Sequence, residues 1–185
     1  MSRPLRVAIQ GDRASFHEIA AQQYYTQPIQ LIYCQSFNDV FELLASNHAD
    51  TALVATSNST HGIINEVARL ISNHSVSMVG EYHLPIHQHL IGLPGAKLGD
   101  ASSVVSHPVA LSQCRNFLKR HSQLKHVVWH DTAAAVQYVK ETGDPMIVAI
   151  GSAAAAELHG LPIITKAIQD DPNNVTVFSE LMRRR

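Results

Sequence analysis

Small polar side chains stand where apolar runs stop: Ser15, the Asn58-Ser59-Thr60 triplet, Ser106, Thr132 and Ser152. Such residues have two uses. Their oxygens accept hydrogen bonds from the free amides at helix N-termini, and several helix N-termini brought together can hold an anion. Spacing alone does not separate capping from binding. Stronger signatures are missing. Gly11-Asp12-Arg13-Ala14 follows an apolar run but lacks the further glycines and the lysine of a phosphate loop. There is no Gly-x-Ser-x-Gly nucleophile elbow. Of the 12 histidines, His87 and His89 share one face of an extended segment without a third ligand at suitable spacing, so paired surface histidines are expected rather than zinc. Neither a metal nor a cofactor is expected. Cys34 and Cys114 lie in apolar surroundings with no redox or zinc spacing and read as free buried thiols.

The elements that position these residues alternate. Leu5–Gln10, Gln30–Cys34 and Thr51–Thr56 read as strands, and Ser15–Tyr25, Phe37–Ser46 and Ile63–Ser72 as helices with apolar residues at helical spacing. Val76–Leu93 is extended and broken only by Pro85. The pattern then restarts, with a strand ending at Val104-Val105 and a helix over Pro108–His121 that has Pro108 in its first turn. Lys125–Trp129 leads into the helix Thr132–Thr142, and Met146–Ile150 into Ser152–His159, closed by Gly160. Leu161–Thr165 and Asn174–Phe178 are the last strands. Alternation of this kind predicts an α/β fold with largely parallel sheets. Hinges are placed near Gly80 and Thr165, giving one lobe of 1–80 plus 166–185, a second of 81–165, and an inter-lobe cleft. Ligands of such sheets bind outside the C-terminal ends of the strands.

Composition narrows the class. A 45% hydrophobic, 16% charged chain of 185 residues is globular and large enough for its own core. No apolar run reaches the roughly 20 residues of a membrane helix. Setting aside Arg183, Arg184 and Arg185, which read as a solvated tail, leaves 11 basic against 15 acidic side chains. That balance argues against nucleic acid as the partner. With no leader-like n-region or h-region at the start, a cytoplasmic protein is expected.

Five segments, in collinear order from Val7 to Phe178, resemble the catalytic domain of the prephenate dehydratase family. Val-Ala-Ile-Gln-Gly with Ala-Ser-Phe and Ala20-Ala21 is similar to its opening Gly-x-x-Gly-Ser-Phe-Ser-His-x-Ala-Ala. Ala55-Thr-Ser-Asn-Ser-Thr-His-Gly62 resembles Pro-x-Glu-Asn-Ser-x-x-Gly, and Gly80-Glu81 with Leu84-Pro85-Ile86 resembles Gly-Glu…Leu-Pro-Ile-x-His-x-Leu. Ser106-His107-Pro108 with Ala110, Leu111, Gln113 and Cys114 is similar to Ser-His-Pro-Gln-Ala-Leu-x-Gln-Cys. Pro172-Asn-Asn-Val-Thr-Val-Phe178 resembles the closing Asn-x-Thr-Arg-Phe.

The resemblance implies two α/β lobes of periplasmic-binding-protein-like (type II) architecture and conversion of prephenate to phenylpyruvate without a cofactor. It implies that Thr176 donates to the departing ring hydroxyl. Asn58, Ser106, Gln113, Thr132 and Phe178 are implied in binding the substrate, with Ser15 and Arg13 beside them. It also permits a homodimer. The chain stops soon after Phe178, so the family's regulatory ACT domain, and feedback by phenylalanine, are not expected.

Departures from the family pattern cluster near the site. Val177 stands in place of the motif arginine, Ser57 of a glutamate, Gln88 of a histidine and Ala14 of the opening glycine. His17-Glu18 stands where Ser-His is usual, and His130 where some members carry glutamate. Positive charge for a dianionic substrate would then come from Arg13, His130 or His107, although His107 reads first as a helix N-cap. Two further readings are a non-aromatising prephenate decarboxylase and a binding module for a small carboxylate. Retention of Thr176 ranks the dehydratase first.

Overall fold

A computed structural model describes residues 3–184. The chain runs β1 (Leu5–Gln10), α1 (Phe16–Tyr24), β2 (Ile29–Cys34), α2 (Phe37–Ala45), β3 (Thr51–Asn58), β4 (Gly62–Ile63), α3 (Asn65–Asn73) and β5 (Val76–Pro85). It continues through β6 (His89–Ile91), β7 (Ser103–Ser106), α4 (Pro108–Gln113), α5 (Arg115–Arg120), β8 (Lys125–Val128), α6 (Thr132–Thr142), β9 (Ile147–Gly151), α7 (Ala153–His159), β10 (Ile163–Thr165) and β11 (Val175–Arg183). Two compact units result: Met1–Ile86 with Val175–Arg185, and His87–Asn174. Among the described residues no helix is long and apolar enough to cross a membrane.

The first unit is built on a sheet of order β2-β1-β3-β11-β5, with β4 paired to β3. Its central strands are apolar on both faces because both faces are covered. Val7, Ile9, Leu53 and Phe178 pack with Ala20 and Ala21 of α1 on one side. Ala8, Ala52, Val54 and Leu181 pack with Val40, Phe41 and Leu44 of α2 on the other. A reciprocal Ser36–Asp39 capping box starts α2.

The second unit has a sheet of order β10-β6-β9-β7-β8. Leu90, Val104, Val148 and Ile150 meet Leu111, Cys114, Phe117 and Leu118 in its core. Both cysteines are free and buried, and burial pushes Cys34 up to about 11 and Cys114 up to about 12, so neither is a ready nucleophile.

Several sequence expectations are corrected. The sheets are mixed rather than largely parallel: β1 pairs β2 and β3, and β7 pairs β8 and β9, in parallel, whereas β11, β4, β6 and β10 pair antiparallel. The units divide after Ile86 and after Asn174, not near Gly80 and Thr165. Gly80 lies within β5, which stays in the first sheet to Pro85, and Thr165 still belongs to β10.

Arg183 is the last residue of β11, and Arg184 donates its backbone N–H to Ser75 at 2.8 Å, so these two are not a solvated tail; Arg185 lies outside the described residues. The helix expected over Pro108–His121 breaks at Cys114 (φ −116°, ψ 25°). Its ladder is interrupted from outside: Gln113 C=O accepts the Asp170 N–H at 2.7 Å, and the Asn116 N–H donates to Asp170 Oδ1 at 2.9 Å.

Gly80 answers to a close approach. It faces Glu180 across the β5–β11 ladder, where the Glu180 carboxylate accepts from Tyr24 Oη (2.9 Å), Tyr25 Oη (3.0 Å) and Thr51 Oγ1 (3.0 Å). A Cβ at position 80 would overlap the Tyr24 hydroxyl. Gly80→Ala is therefore expected to cost about 1.5–3 kcal/mol, the range for losing a hydrogen bond to a charged group. Urea unfolding measures it. Adding Tyr24→Phe should recover part of the loss, and an unchanged midpoint in Gly80→Ala would contradict the account.

Candidate active site

The pairing of β11 with β3 sets Thr176 directly opposite Asn58. Asn58 Oδ1 accepts from the Thr60 N–H (2.9 Å), the His61 N–H (3.2 Å) and Thr60 Oγ1 (2.6 Å), closing an Asx-type turn between β3 and β4. Those backbone donors fix the orientation of the amide, since only its oxygen can accept from them. Asn58 Nδ2 is thereby turned toward β11, donating to Thr176 Oγ1 at 3.0 Å and to Val175 C=O at 3.2 Å. Ser59 clamps the same strand, its N–H donating to Val175 C=O (2.8 Å) and its Oγ accepting the Val175 N–H (2.9 Å). Thr176 Oγ1 is thus an acceptor within the protein, which leaves its own O–H proton to be given away. The side chain is half-buried.

After Val177 the register shifts: Val177 faces Ser57 but Phe178 faces Ala55, so Thr56 is the extra residue of a bulge. Bulges beside sites re-aim side chains. β1 pairs β3 only at Thr51 and Ala52, so Ala55 lies beyond that ladder and donates its N–H to His17 Nε2 at 3.2 Å. His17 sets its ring edge-on to Phe178 at 5.0 Å and to Phe37 at 5.7 Å. Burial pulls its pKa down to about 3, so the ring is neutral with its proton on Nδ1. Phe178 itself is fully buried, a packing residue under the site.

Ser15 caps α1 by accepting the Glu18 N–H at 3.3 Å and is buried. Arg13 is exposed, and its charge only partly offsets the burial and the Glu18 carboxylate that push the Tyr33 hydroxyl up to about 12. Ala14 holds φ +64°, the left-handed region that a glycine takes without penalty, which explains what the family glycine does at this position.

In the second unit the parallel strands β7, β8 and β9 end at Ser106-His107, at the residues leading to Asp131-Thr132, and at Gly151-Ser152. Ser106 is fully buried and donates Oγ–H to Ile150 C=O at 2.7 Å, tying β7 to β9 rather than capping. The caps are His107 on α4, Asp131 on α6 and Ser152 on α7. Thr132 is therefore the first residue inside α6 and not its cap, because the Asp131 carboxylate already takes the Ala133 and Ala134 amides. Burial pulls His107 down, opposed by Asp131 and reinforced by His130, so these three groups share one local field.

Gln113 is buried, its Oε1 accepting from Gln88 Nε2 at 3.1 Å. Gln88 also donates its N–H to Gln169 Oε1 (3.0 Å) and accepts the Ile168 N–H (2.8 Å) on its C=O. His17, Asp131 and Gln88 are the residues whose roles the sequence did not disclose. An aspartate followed by an alanine-rich run is the one signal that could have found Asp131. No group of three or more potential metal ligands exists among the described residues.

Two α/β units, each with a mixed sheet, define an α/β protein of periplasmic-binding-protein-like fold. A periplasmic substrate-binding protein of an ABC transporter from Coxiella burnetii shares that fold (TM-score 0.52, 16% identity, covering 97% of this chain and 85% of that one). The model of the family described as prephenate dehydratase matches residues 7–185, and this chain belongs to that family. Arogenate dehydratase 5 of Arabidopsis thaliana is 37% identical over 180 residues (97% of this chain, 42% of that protein). The bifunctional chorismate mutase/prephenate dehydratase of Escherichia coli is 32% identical over 182 residues (97% and 47%). A prephenate dehydratase from Arthrobacter aurescens, solved with L-Phe, superposes with TM-score 0.89 at 26% identity (98% and 61%). The chain thus spans less than half the length of these two curated relatives.

Two outcomes follow for stability. His17 in the native state titrates at about 3, below its unfolded value near 6.5. Between those values the unfolded chain binds the extra proton, so stability is full above about pH 6.5 and falls by about 1.4 kcal/mol per unit below it. His17→Gln should flatten this limb in pH-dependent unfolding relative to the native chain. The comparison isolates His17 from His89 and His107, which burial shifts in the same direction. Ala14→Gly should raise stability by about 0.5–1 kcal/mol through relief of the left-handed conformation, read as a higher urea midpoint.

Proposed function

We propose that this chain catalyses loss of carbon dioxide and the ring hydroxyl from a 4-hydroxycyclohexadienyl carboxylate, with prephenate giving phenylpyruvate as the first substrate to test. The observation that carries the reading is the Asn58 Nδ2–Thr176 Oγ1 hydrogen bond at 3.0 Å. A threonine hydroxyl is a poor acid in water. Here its oxygen already accepts a hydrogen bond, which polarises the O–H and steadies negative charge that develops on Oγ1 as the proton moves. Thr176 gives that hydrogen to the departing hydroxyl, which leaves as water. The C–C bond to the ring carboxylate breaks, its electron pair enters the ring, and carbon dioxide departs as the ring becomes aromatic. The proton lost by Thr176 returns from solvent.

The resemblance would also assign Arg13, Ser15, Ser106, Thr132 and Gln113 to the substrate, but Ser15 caps α1, Ser106 donates to Ile150 C=O and Gln113 is paired with Gln88, so the proposed chemistry rests on Asn58 and Thr176 of the first unit. The arogenate dehydratases among the relatives support a second substrate, the amino-acid counterpart of prephenate. Both are dehydrated by the same bond changes, so the side chain of the substrate, not the chemistry, distinguishes them.

Incubation with prephenate and with arogenate, followed by mass spectrometry of the products, tests the reading. An aromatic product lacking both carbon dioxide and the ring hydroxyl is expected. Thr176→Val, which keeps the shape and removes the donor, should lower kcat/KM by about 10²–10³-fold, the scale of one lost transition-state donor. Thr176→Ser should retain a substantial part. Neither substrate turning over, or Thr176→Val keeping the full rate, overturns it.

A further inference from the structure

The second unit contains a cavity of about 410 Å³ formed by α5, the turn after it and the segment Thr165–Asp170. None of Ser106, Thr132 or Ser152 lines it. Phe117 and Ile168, both buried, form an apolar base. Arg120 stands on one wall and Lys166 on the other, with the His121 ring packed against Phe117 at 4.6 Å.

Neither Arg120 nor Lys166 enters an ion pair among the described residues. The one acid on the lining, Asp170, has its Oδ1 taken by the Asn116 N–H. Arg120 in the last turn of α5 could serve the helix dipole. That role does not account for Lys166, which reaches the same space from a different segment. Both side chains are exposed and share the lining with the Asp170 carboxylate, so the cavity carries two cations against one acid, a surplus of positive charge that attracts an anion and is screened by salt.

We propose that this cavity binds a small multivalent oxyanion, of the phosphate or polycarboxylate class, between Arg120 and Lys166. The guanidinium offers a planar pair of donors and the ammonium a point charge, a combination suited to an anion with several oxygens. The wall that carries Lys166 is also the segment that hydrogen-bonds Gln88, Gln113 and Asn116. An anion bridging the two walls therefore braces the break between α4 and α5.

Isothermal titration of the purified chain with pyrophosphate and, separately, with citrate, at constant ionic strength, tests this. Saturable one-site binding of at least one of the two is expected, and the tighter one assigns the phosphate or the carboxylate class. Arg120→Gln with Lys166→Gln should weaken it by at least about tenfold, the scale of losing charge-assisted contacts. Arg115→Gln with Lys119→Gln removes the same charge from α5 outside this cavity and should leave affinity within about twofold. Amide shifts on titration should concentrate in 116–121 and 165–170. The proposal is overturned by absence of saturable binding to either anion, by equal affinity in the Arg120/Lys166 variant, or by an equal loss in the Arg115/Lys119 control.

Discussion

The antiparallel pairing of β11 with β3 is the constraint on which the candidate site rests. It brings a strand from the end of the chain between two strands of the first half and sets Thr176 against Asn58. The Asx turn then does the rest. With Oδ1 committed to two backbone amides and a hydroxyl, Nδ2 has one direction left, and Thr176 Oγ1 lies in it. One side chain thus ends a strand, closes a turn and polarises a hydroxyl. A slip of one residue in register would turn Thr176 to the other face of the sheet.

The bulge at Thr56 and the buried His17 belong to the same arrangement. Beyond the β1 ladder, the Ala55 amide has no strand to pair with on that side, and an unpaired buried amide costs about 1–3 kcal/mol. A neutral imidazole supplies the acceptor while its ring edge packs on Phe178. Where the family pattern has a serine, this chain thus places a ring that serves both a hydrogen bond and the core. Ala14, three residues earlier, pays a backbone cost that glycine would not, which indicates that the turn into α1 is held by its surroundings rather than by its own preference.

Residues grouped as polar strand-end positions do different jobs. Ser15 and Ser152 are caps, whereas Ser106 is a buried tie between β7 and β9. Gln113 takes part in a buried amide pair with Gln88 and in the backbone bonds that split α4 from α5. The three serines carry the same hydroxyl chemistry. Their partners differ because each strand end meets a different neighbour.

Periodicity along the chain determined most of the elements. Leu5–Gln10 and Thr132–Thr142 have the bounds read from the sequence, since apolar spacing and capping are local properties that a segment carries wherever it packs. The motif order likewise identified the family. Tertiary structure alone decided the mixed strand directions, the break at Cys114, the bulge at Thr56 and the pairing of Asn58 with Thr176. Each depends on a hydrogen-bonding group meeting a partner more than fifty residues away: Asp170 against Gln113 and Asn116, Thr56 against Val177, Thr176 against Asn58. A sequence pattern records which face of a segment avoids water, but not which distant segment will satisfy its hydrogen bonds, and that second choice is made only when the sheet closes.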